Sequence, residues 1–530
     1  MLTRTDKKLN LLSDYLREAA HAAPYQELIV GEGYRVTYGE TWEKVTHLAK
    51  FFLKAGVRRG DAIAYLFPPG PEFLYTYMAG ARIGALLVGL NPRYTRPELE
   101  YILDNSRPRV LALAGSLGGV DWQKLGSELA GRCPSLETLL VCGEEAAVPG
   151  AVSLDEALRK GAAVEDAVLR EAEAVVSTDD GVLVVYTSGT TGRPKGAVLT
   201  HRNIITNILA ETREWDIGPR DRLMFHLPVN HVGGATELSF AAIMGKATLV
   251  ALPSFHPVKT LEMVARERVT LLGQVPTMFA MEFALPDFGK FDLSSVRLAV
   301  VSGAPPTREV IKGMFRICAD VRTGYGMTEV AGFATYTAPG DDVETVFSTV
   351  GKIAPEFELK IVDANRRELP PGEVGEVALR GEFVMKEYLR LPEETAKAVD
   401  PEGWFYTGDL GVLDERGYLR LVGRLKEMYI TGGYNVYPAE IEDALTRHPA
   451  VLMAACLGVP DPVLGEVGRA YIVCRPGMTV GEAELVAFLR ERLADYKIPR
   501  QYVFREALPL TPLGKIDKKA LAEEIRAEKR

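Results

Sequence analysis

The sequence predicts an α/β protein. Its large N-terminal domain would consist of layered α/β subdomains with a small β-rich subdomain, followed by a small α+β C-terminal domain. Three observations predict this. The 530 residues exceed what one hydrophobic core serves. Short apolar runs of strand length alternate with helix-period segments up to about Gly351, which favours parallel sheets. Beyond that point the texture changes to strands and tight turns.

In chain order, Leu9, Leu12, Tyr15, Leu16 and Ala19 share one face of an amphipathic helix. Ala62 to Phe67 and Val110 to Ala114 read as buried strands, with Leu99 to Leu103 in a helix between them. Further strands are expected at 182–186, 223–228, 247–252, 271–275 and 298–302. The β-rich part has strands at 357–362, 374–380 and 418–422, with turns at Pro370-Pro371-Gly372 and Glu415-Arg416-Gly417. A domain boundary is expected close to Lys426, dividing the chain into 1–425 and 426–530. In the tail, Pro438 opens a helix, strands follow at 452–459 and 470–474, and helices follow near 485–493 and from Asp517.

Composition narrows the function. With 47% hydrophobic and 25% charged residues the chain is globular, and a net charge of −9 argues against nonspecific binding of nucleic acid or anionic membrane. Five scattered cysteines without a C-x-x-C pair argue against a disulfide framework or structural zinc, and for a reducing compartment. No apolar run approaches the ~18 residues of a membrane span. The best candidate, Ala241 to Leu252, is short and carries Lys246. No signal-peptide core follows Lys7 and Lys8, so a cytoplasmic protein is expected.

The strongest chemical signal follows the strand at 182–186. It reads Tyr186-Thr187-Ser188-Gly189-Thr190-Thr191-Gly192-Arg193-Pro194-Lys195-Gly196. Glycines let backbone N–H groups approach phosphate oxygens, hydroxyls add donors and the lysine adds charge. A Walker A pattern is absent. Four more segments accompany it: Gly324-Tyr325-Gly326-Met327-Thr328-Glu329, then Tyr406 to Gly411 with Asp409, then Gly423-Arg424 through Gly433 to Glu442, and Pro512-Leu513-Gly514-Lys515-Ile516. Together, in this order, they resemble the adenylate-forming superfamily, and within it the acyl-CoA synthetase branch.

The resemblance implies an ATP-dependent ligase that forms an acyl-adenylate with release of pyrophosphate, then a CoA thioester with release of AMP. By resemblance, Thr187, Ser188, Gly189, Thr190, Thr191, Gly192 and Lys195 handle the β- and γ-phosphates, and Thr328 reaches the α-phosphate. Glu329 would hold Mg²⁺, a hard cation suited to carboxylate oxygens. Tyr325, followed by Gly326, would stack on adenine opposite the Gly303-Ala304-Pro305 turn. Asp409 would bind the ribose, supported by Arg424. Lys515 would be the catalytic lysine, its cation bridging substrate carboxylate and α-phosphate. Lys426 stands at the family's hinge, about which the small domain rotates. Gly432 and Gly433 would line the CoA tunnel, although a hairpin turn also explains them.

Leu227 to Gly234 resembles the segment lining the acid pocket, with His231, Val232, Gly233 and Gly234 as its lining. His231 is either a catalytic residue that orients the carboxylate or gates the pantetheine tunnel, or a satisfied structural histidine. Many relatives carry an aromatic residue before this histidine; here Asn230 stands there. The neutral Val232-Gly233-Gly234-Ala235 disfavours an amino-acid substrate, because a buried ammonium would lack a partner. Fatty and aryl acids remain. CoA is the expected thiol, with loading of a separate carrier protein and an inactive nucleotide-binding relative as alternatives. The partners implied are a small carboxylic acid and CoA, with no nucleic acid and no integral membrane segment; similar enzymes suggest a homodimer.

Overall fold

The structure, a computed structural model, describes residues 9–117, 120–143, 146–187, 194–511 and 516–528. It forms two compact units. One comprises Met1–Val346, Ile353–Glu358 and Arg380–Phe405; the other comprises Phe347–Lys352, Leu359–Leu379 and Tyr406–Arg530.

The first unit is built on two sheets. One runs in the order Glu387–Tyr388, Lys195–Thr200, Gly181–Thr187, Leu86–Gly89, Ala62–Leu66, Pro108–Ala114, Thr138–Cys142, Val152–Ser153. Its pairs are parallel except those made by Lys195–Thr200. The other sheet runs Asp320–Thr323, Leu298–Val301, Leu271–Gln274, Arg222–Phe225, Thr248–Ala251, Glu27–Gly31, Tyr34–Thr37. Continuous apolar runs such as Ala62–Leu66, buried at every residue, fit parallel strands covered on both faces.

The helix Pro71–Arg82 is buried at every residue but Glu72, as expected of a helix that is largely apolar all round. Its Phe73 joins the two sheets, with ring centroids 5.4 Å from Tyr65 of one and 6.4 Å from Phe225 of the other. The expected strand over 223–228 stops at Phe225, before Pro228, which has no N–H for a ladder. The apolar stretch 241–252 is the end of the helix Ser239–Gly245 and the strand Thr248–Ala251, separated by Lys246 at φ +57°. No helix among the described residues is long and apolar enough to cross a membrane.

The second unit contains an antiparallel arrangement of Phe405–Leu413 with Leu419–Arg424, in a four-stranded sheet with Glu358–Val362 and Gly375–Arg380. It also contains a five-stranded sheet centred on the hairpin Val451–Asp461 and Gly465–Cys474. Strand alternation gives this sheet two cores. Ala454, Cys456 and Ile472 pack under Ile441, Leu445, Leu485 and Leu489, while Ala455, Tyr471 and Val473 pack under Leu521 and Ile525.

An ion pair between a buried carboxylate and an exposed arginine clamps the strand entrances of the first unit. Asp221 accepts from Arg297 (2.7 and 2.9 Å), from the Thr270 hydroxyl (2.7 Å) and from the Gly218 N–H (2.9 Å). Burial opposes ionisation of Asp221, but these donors and the Arg297 charge outweigh it and hold its carboxyl below the usual range. A folded pKa below the unfolded one adds stability above the ordinary carboxylate range, which is lost as pH falls through the folded value. Asp221→Asn is therefore expected to destabilise the protein by about 1–3 kcal/mol at pH 7. Urea unfolding repeated in acid should show the gap to wild type closing below about pH 4.

Candidate active site

Four parallel strands of the second sheet described above, Arg222–Phe225, Leu271–Gln274, Leu298–Val301 and Asp320–Thr323, end on the same edge. From that edge spring the segments 227–234, 303–305 and 324–329, as ligand-binding loops do in open α/β sheets. Val301 pairs with Thr323, so Gly303-Ala304-Pro305 and Tyr325 leave neighbouring strand ends. Gly303 makes its turn at φ +87°, and Tyr325 is buried.

Backbone crowding explains the glycines flanking Tyr325. A Cβ at Gly324 would lie 2.3 Å from the Thr335 carbonyl oxygen, and one at Gly326 would lie 2.0 Å from that of Gly332. The tight return continues through Thr328 and Glu329 on a short turn that closes with Ala331 at φ +64°. Asn207 Nδ2 fastens it by donating to the carbonyls of Val330 (2.9 Å) and Phe333 (2.7 Å).

The Ser/Thr/Gly tract joins the antiparallel strands Gly181–Thr187 and Lys195–Thr200, with Thr187 opposite Lys195. Ser188, Gly189, Thr190, Thr191 and Gly192 lie outside the described residues, as does Lys515. Lys195 forms an ion pair with Glu394, and its ammonium sits 5.1 Å from the Tyr388 ring centroid. Hydrogen bonds from Lys195 and Lys397 hold the Glu394 carboxyl down at about 2. Tyr388 O–H donates to Glu329 Oε1 at 2.8 Å. Burial, then the Glu329 charge, push the Tyr388 hydroxyl far above its ordinary value, so it remains a donor. Lys195 and Glu329 are thereby linked through Tyr388, and sequence reasoning missed both this tyrosine and Glu394, the partner of Lys195. Nothing local marks them: Glu394 resembles any acid in a helix's first turn.

His231 is half-buried, and its Nδ1 accepts from the Gly233 N–H at 3.2 Å. Gly234 owes its lack of a side chain to packing, since a Cβ would lie 2.5 Å from the Pro228 carbonyl oxygen. Val232–Ala235 is neutral as read, and two acidic residues, one buried and one half-buried, stand beside it. Glu237 follows on the same wide turn Gly233–Leu238, and burial of Glu211 together with the Glu237 charge drives the Glu211 carboxyl up.

Within the second unit Asp409 pairs with Arg424 in register, Oδ1 lying 3.2 Å from Arg424 Nε. Lys426 follows in the turn after that strand. Gly432 and Gly433 form the two-residue turn of the hairpin Tyr429–Thr431/Tyr434–Val436, at φ +56° and +86°, a geometry that demands glycine-like freedom. The glutamates of the 438–442 segment have work in the tail's own assembly. Glu440 binds Lys497 at 2.7 Å, and Glu442 with Glu427 encloses Lys518 at 2.9 and 2.5 Å.

An open α/β sheet with such turns at its strand ends, and with a lysine and a buried carboxylate on the two sides of Tyr388, is the architecture of nucleotide-using enzymes. Residues 16–389 match the AMP-binding enzyme family and residues 440–515 match the AMP-binding enzyme C-terminal domain. The chain belongs to this adenylate-forming family, in its acyl-CoA synthetase branch, and is an AMP-forming acid–CoA ligase using ATP and CoA.

Among its relatives is the 3-[(3aS,4S,7aS)-7a-methyl-1,5-dioxo-octahydro-1H-inden-4-yl]propanoyl:CoA ligase of Rhodococcus jostii. It is 37% identical, over 92% of this chain and 94% of that one. The long-chain-fatty-acid–CoA ligase FadD13 of Mycobacterium tuberculosis is 33% identical, over 97% and 98%. The solved anthranilate CoA ligase AuaEII in complex with anthranoyl-AMP superposes with a TM-score of 0.87 at 26% identity, covering 98% of both chains.

Tyr388→Phe deletes the donor to a buried carboxylate without changing shape. The expected loss is about 1–3 kcal/mol, read as a lowered midpoint in urea unfolding; an unchanged midpoint would show that Glu329 does not depend on this hydroxyl.

Proposed function

We propose that the ligase activates a fatty or aryl acid, with the nucleotide held by the residues on and beside the edge described above. The observation that carries this reading is the Lys195–Tyr388–Glu329 linkage, which puts a cation and a carboxylate at the two sides of one tyrosine. In the first step the acid's carboxylate oxygen bonds to the α-phosphorus of ATP and the bond to the pyrophosphate oxygen breaks. Negative charge gathers on the α-phosphate and the leaving group, so catalysis is alignment and charge stabilisation.

Thr187, Ser188, Gly189, Thr190, Thr191, Gly192 and Lys195 take the β- and γ-phosphates, with Lys195 exchanging Glu394 for phosphate oxygen. Thr328 meets the α-phosphate. Tyr325, Gly326 and the 303–305 turn hold adenine, and Asp409 with Arg424 holds the ribose. Glu329, a buried carboxylate already oriented by Tyr388, offers the hard oxygen that Mg²⁺ requires, and the ion would supply charge neutralisation of the phosphates. His231, Val232, Gly233 and Gly234 line the acid site. Lys515 supplies the bridging ammonium during adenylation. The chain divides functionally at Lys426 into 1–425 and 426–530, the smaller part rotating so that Gly432 and Gly433 admit the CoA thiol. That thiol then attacks the acyl carbon and AMP leaves.

Relatives named for ferulate and for long-chain fatty acids are 36% and 33% identical and support a fatty or aryl acid without choosing between them, while a relative named for a saturated bicyclic dioxo-propanoate, 37% identical, supports neither. A cytoplasmic homodimer completes the proposal, to be checked by cell fractionation and light scattering.

Lys515→Ala is expected to lower acyl-adenylate formation at least ~100-fold while sparing thioester formation from supplied acyl-adenylate. Equal loss in both half-reactions would refute the division of labour. The acid class is decided by CoA-dependent AMP release across acids graded in chain length and aromaticity. Lys426→Pro should slow the complete reaction by fixing the hinge, and unchanged turnover would remove the hinge from that position.

A further inference from the structure

Beside the 231–234 segment the first unit encloses a polar cluster that adenylation does not use. Asn207 and Glu211 stand one turn apart on the helix His201–Glu214 and so share a face. Glu237 stands on the wide turn Gly233–Leu238, of a helix type often found at functional sites. The two elements converge on Gly332. A Cβ there would lie 2.7 Å from Asn207 Oδ1 and 3.3 Å from Glu237 Oε1. At its other oxygen, Glu237 Oε2 lies 3.6 Å from a Cβ placed on Gly233, the same distance as His231 Nδ1. One carboxyl therefore reaches from the histidine to the bare backbone of Gly332.

Asn207 Oδ1 and both carboxyl oxygens of Glu211 are fully buried and have no hydrogen-bond partner. Asn207 Nδ2 is already committed to Val330 and Phe333. Glu237 differs: packed elements surround it, yet it keeps accessible surface, so it borders an internal opening. Gly273 keeps accessible surface as well, and a Cβ there would meet nothing nearer than 3.9 Å, with Leu238 Cδ2 at 4.0 Å. Open room thus continues beside the residue that follows Glu237.

The chemistry of the cluster selects its occupant. Burial pushes the Glu237 carboxyl up to about 8, and burial with the Glu237 charge raises Glu211, so both are largely neutral near pH 7. A neutral carboxyl donates through its O–H, whereas Asn207 Oδ1 can only accept. A hydroxyl is the group that answers both with a single atom. The substrate's own carboxylate is excluded, because it has no proton to donate to Asn207 Oδ1, which can only accept. The cluster must face the remainder of the acid.

We infer that Asn207, Glu211 and Glu237 form a polar subsite for a hydroxyl carried by the acid substrate away from its carboxylate. The enzyme then prefers hydroxylated acids to their unsubstituted counterparts. This rests on the reading of His231–Gly234 as the lining of the acid site.

The test measures kcat/KM for CoA-dependent AMP release with matched acids that differ only in bearing hydroxyl, amino or no substituent, at several positions. Wild type should favour the hydroxylated member of at least one pair by ~10-fold or more, and Glu237→Leu should erase most of that preference. Glu237→Gln, which still donates, should retain part of it. The ratio is taken within each preparation, so a smaller folded fraction does not alter it. A wild-type ratio near one for every pair overturns the inference. So does a ratio that Glu237→Leu leaves unchanged, or a preference for the amino over the hydroxyl member. If Gly233→Val leaves kcat/KM unaltered for every acid, the acid-site reading itself falls, and the subsite falls with it.

Discussion

A buried carboxylate needs a partner, and in this fold the need of Glu329 organises what surrounds it. Glu329 lies in the tight return after Tyr325, well away from bulk water. An uncompensated buried charge costs several kcal/mol. The Tyr388 hydroxyl offsets that cost, and Tyr388 is in place because Glu387–Tyr388 pairs with Lys195–Thr200, Tyr388 opposite Ala197. The same pairing brings the Leu389 N–H to the Gly196 carbonyl at 2.8 Å and sets the tyrosine ring beneath Lys195. The strand that closes the phosphate loop, the short edge strand and the acidic turn are therefore one mechanical unit. A shift in any of them would strand a charge.

This coupling explains which parts of the protein were legible in its sequence. Parallel strands such as Ala62–Leu66 announce themselves because burial on both faces demands an unbroken apolar run. The motif glycines were legible as motifs, while their physical reasons were not. Gly324 and Gly326 are glycine because backbone crosses backbone, which no local pattern reveals. Glu394 and Tyr388 were invisible for a different cause. Lys195 and Glu394 are 199 positions apart, and neither the lysine nor the glutamate is unusual for its own neighbourhood. Glu211 and Glu237 escaped likewise. A reading of 232–235 alone finds no charge, because the acidic groups come from the next turn and from another helix.

The glutamates of the 438–442 segment teach the converse. They were noticed only as part of a family pattern, yet each has a structural task. Glu440 holds Lys497, and Glu442 accepts the Cys456 N–H at 2.7 Å while balancing the nearly enclosed Lys518. Lys518 keeps its charge because Glu442 and Glu427 offset its desolvation, and its pKa is raised despite burial. It begins the helix Lys518–Ala527, whose Leu521 and Ile525 fill the second core of the five-stranded sheet. A charged contact and an apolar face thus anchor the helix that follows Ile516 to the rest of its unit.

Glycines of the two kinds divide the chemistry of the first unit. Where backbone lies within 2.0–2.5 Å of a notional Cβ, as at Gly326, Gly324 and Gly234, no side chain is compatible with the fold. Those positions are fixed by the chain's own crossing and carry no information about the acid. At Gly273 a Cβ would find room, and at Gly332 what it would strike first is an amide oxygen and a carboxylate arm. A Cβ at Gly273 leaves the backbone where it is, whereas Gly332, at φ +153°, holds a conformation that residues with side chains rarely adopt. Asn207 and Glu237 meet over Gly332, so under the proposed subsite it is their side chains, with Glu211, rather than the loop glycines that distinguish one acid from another.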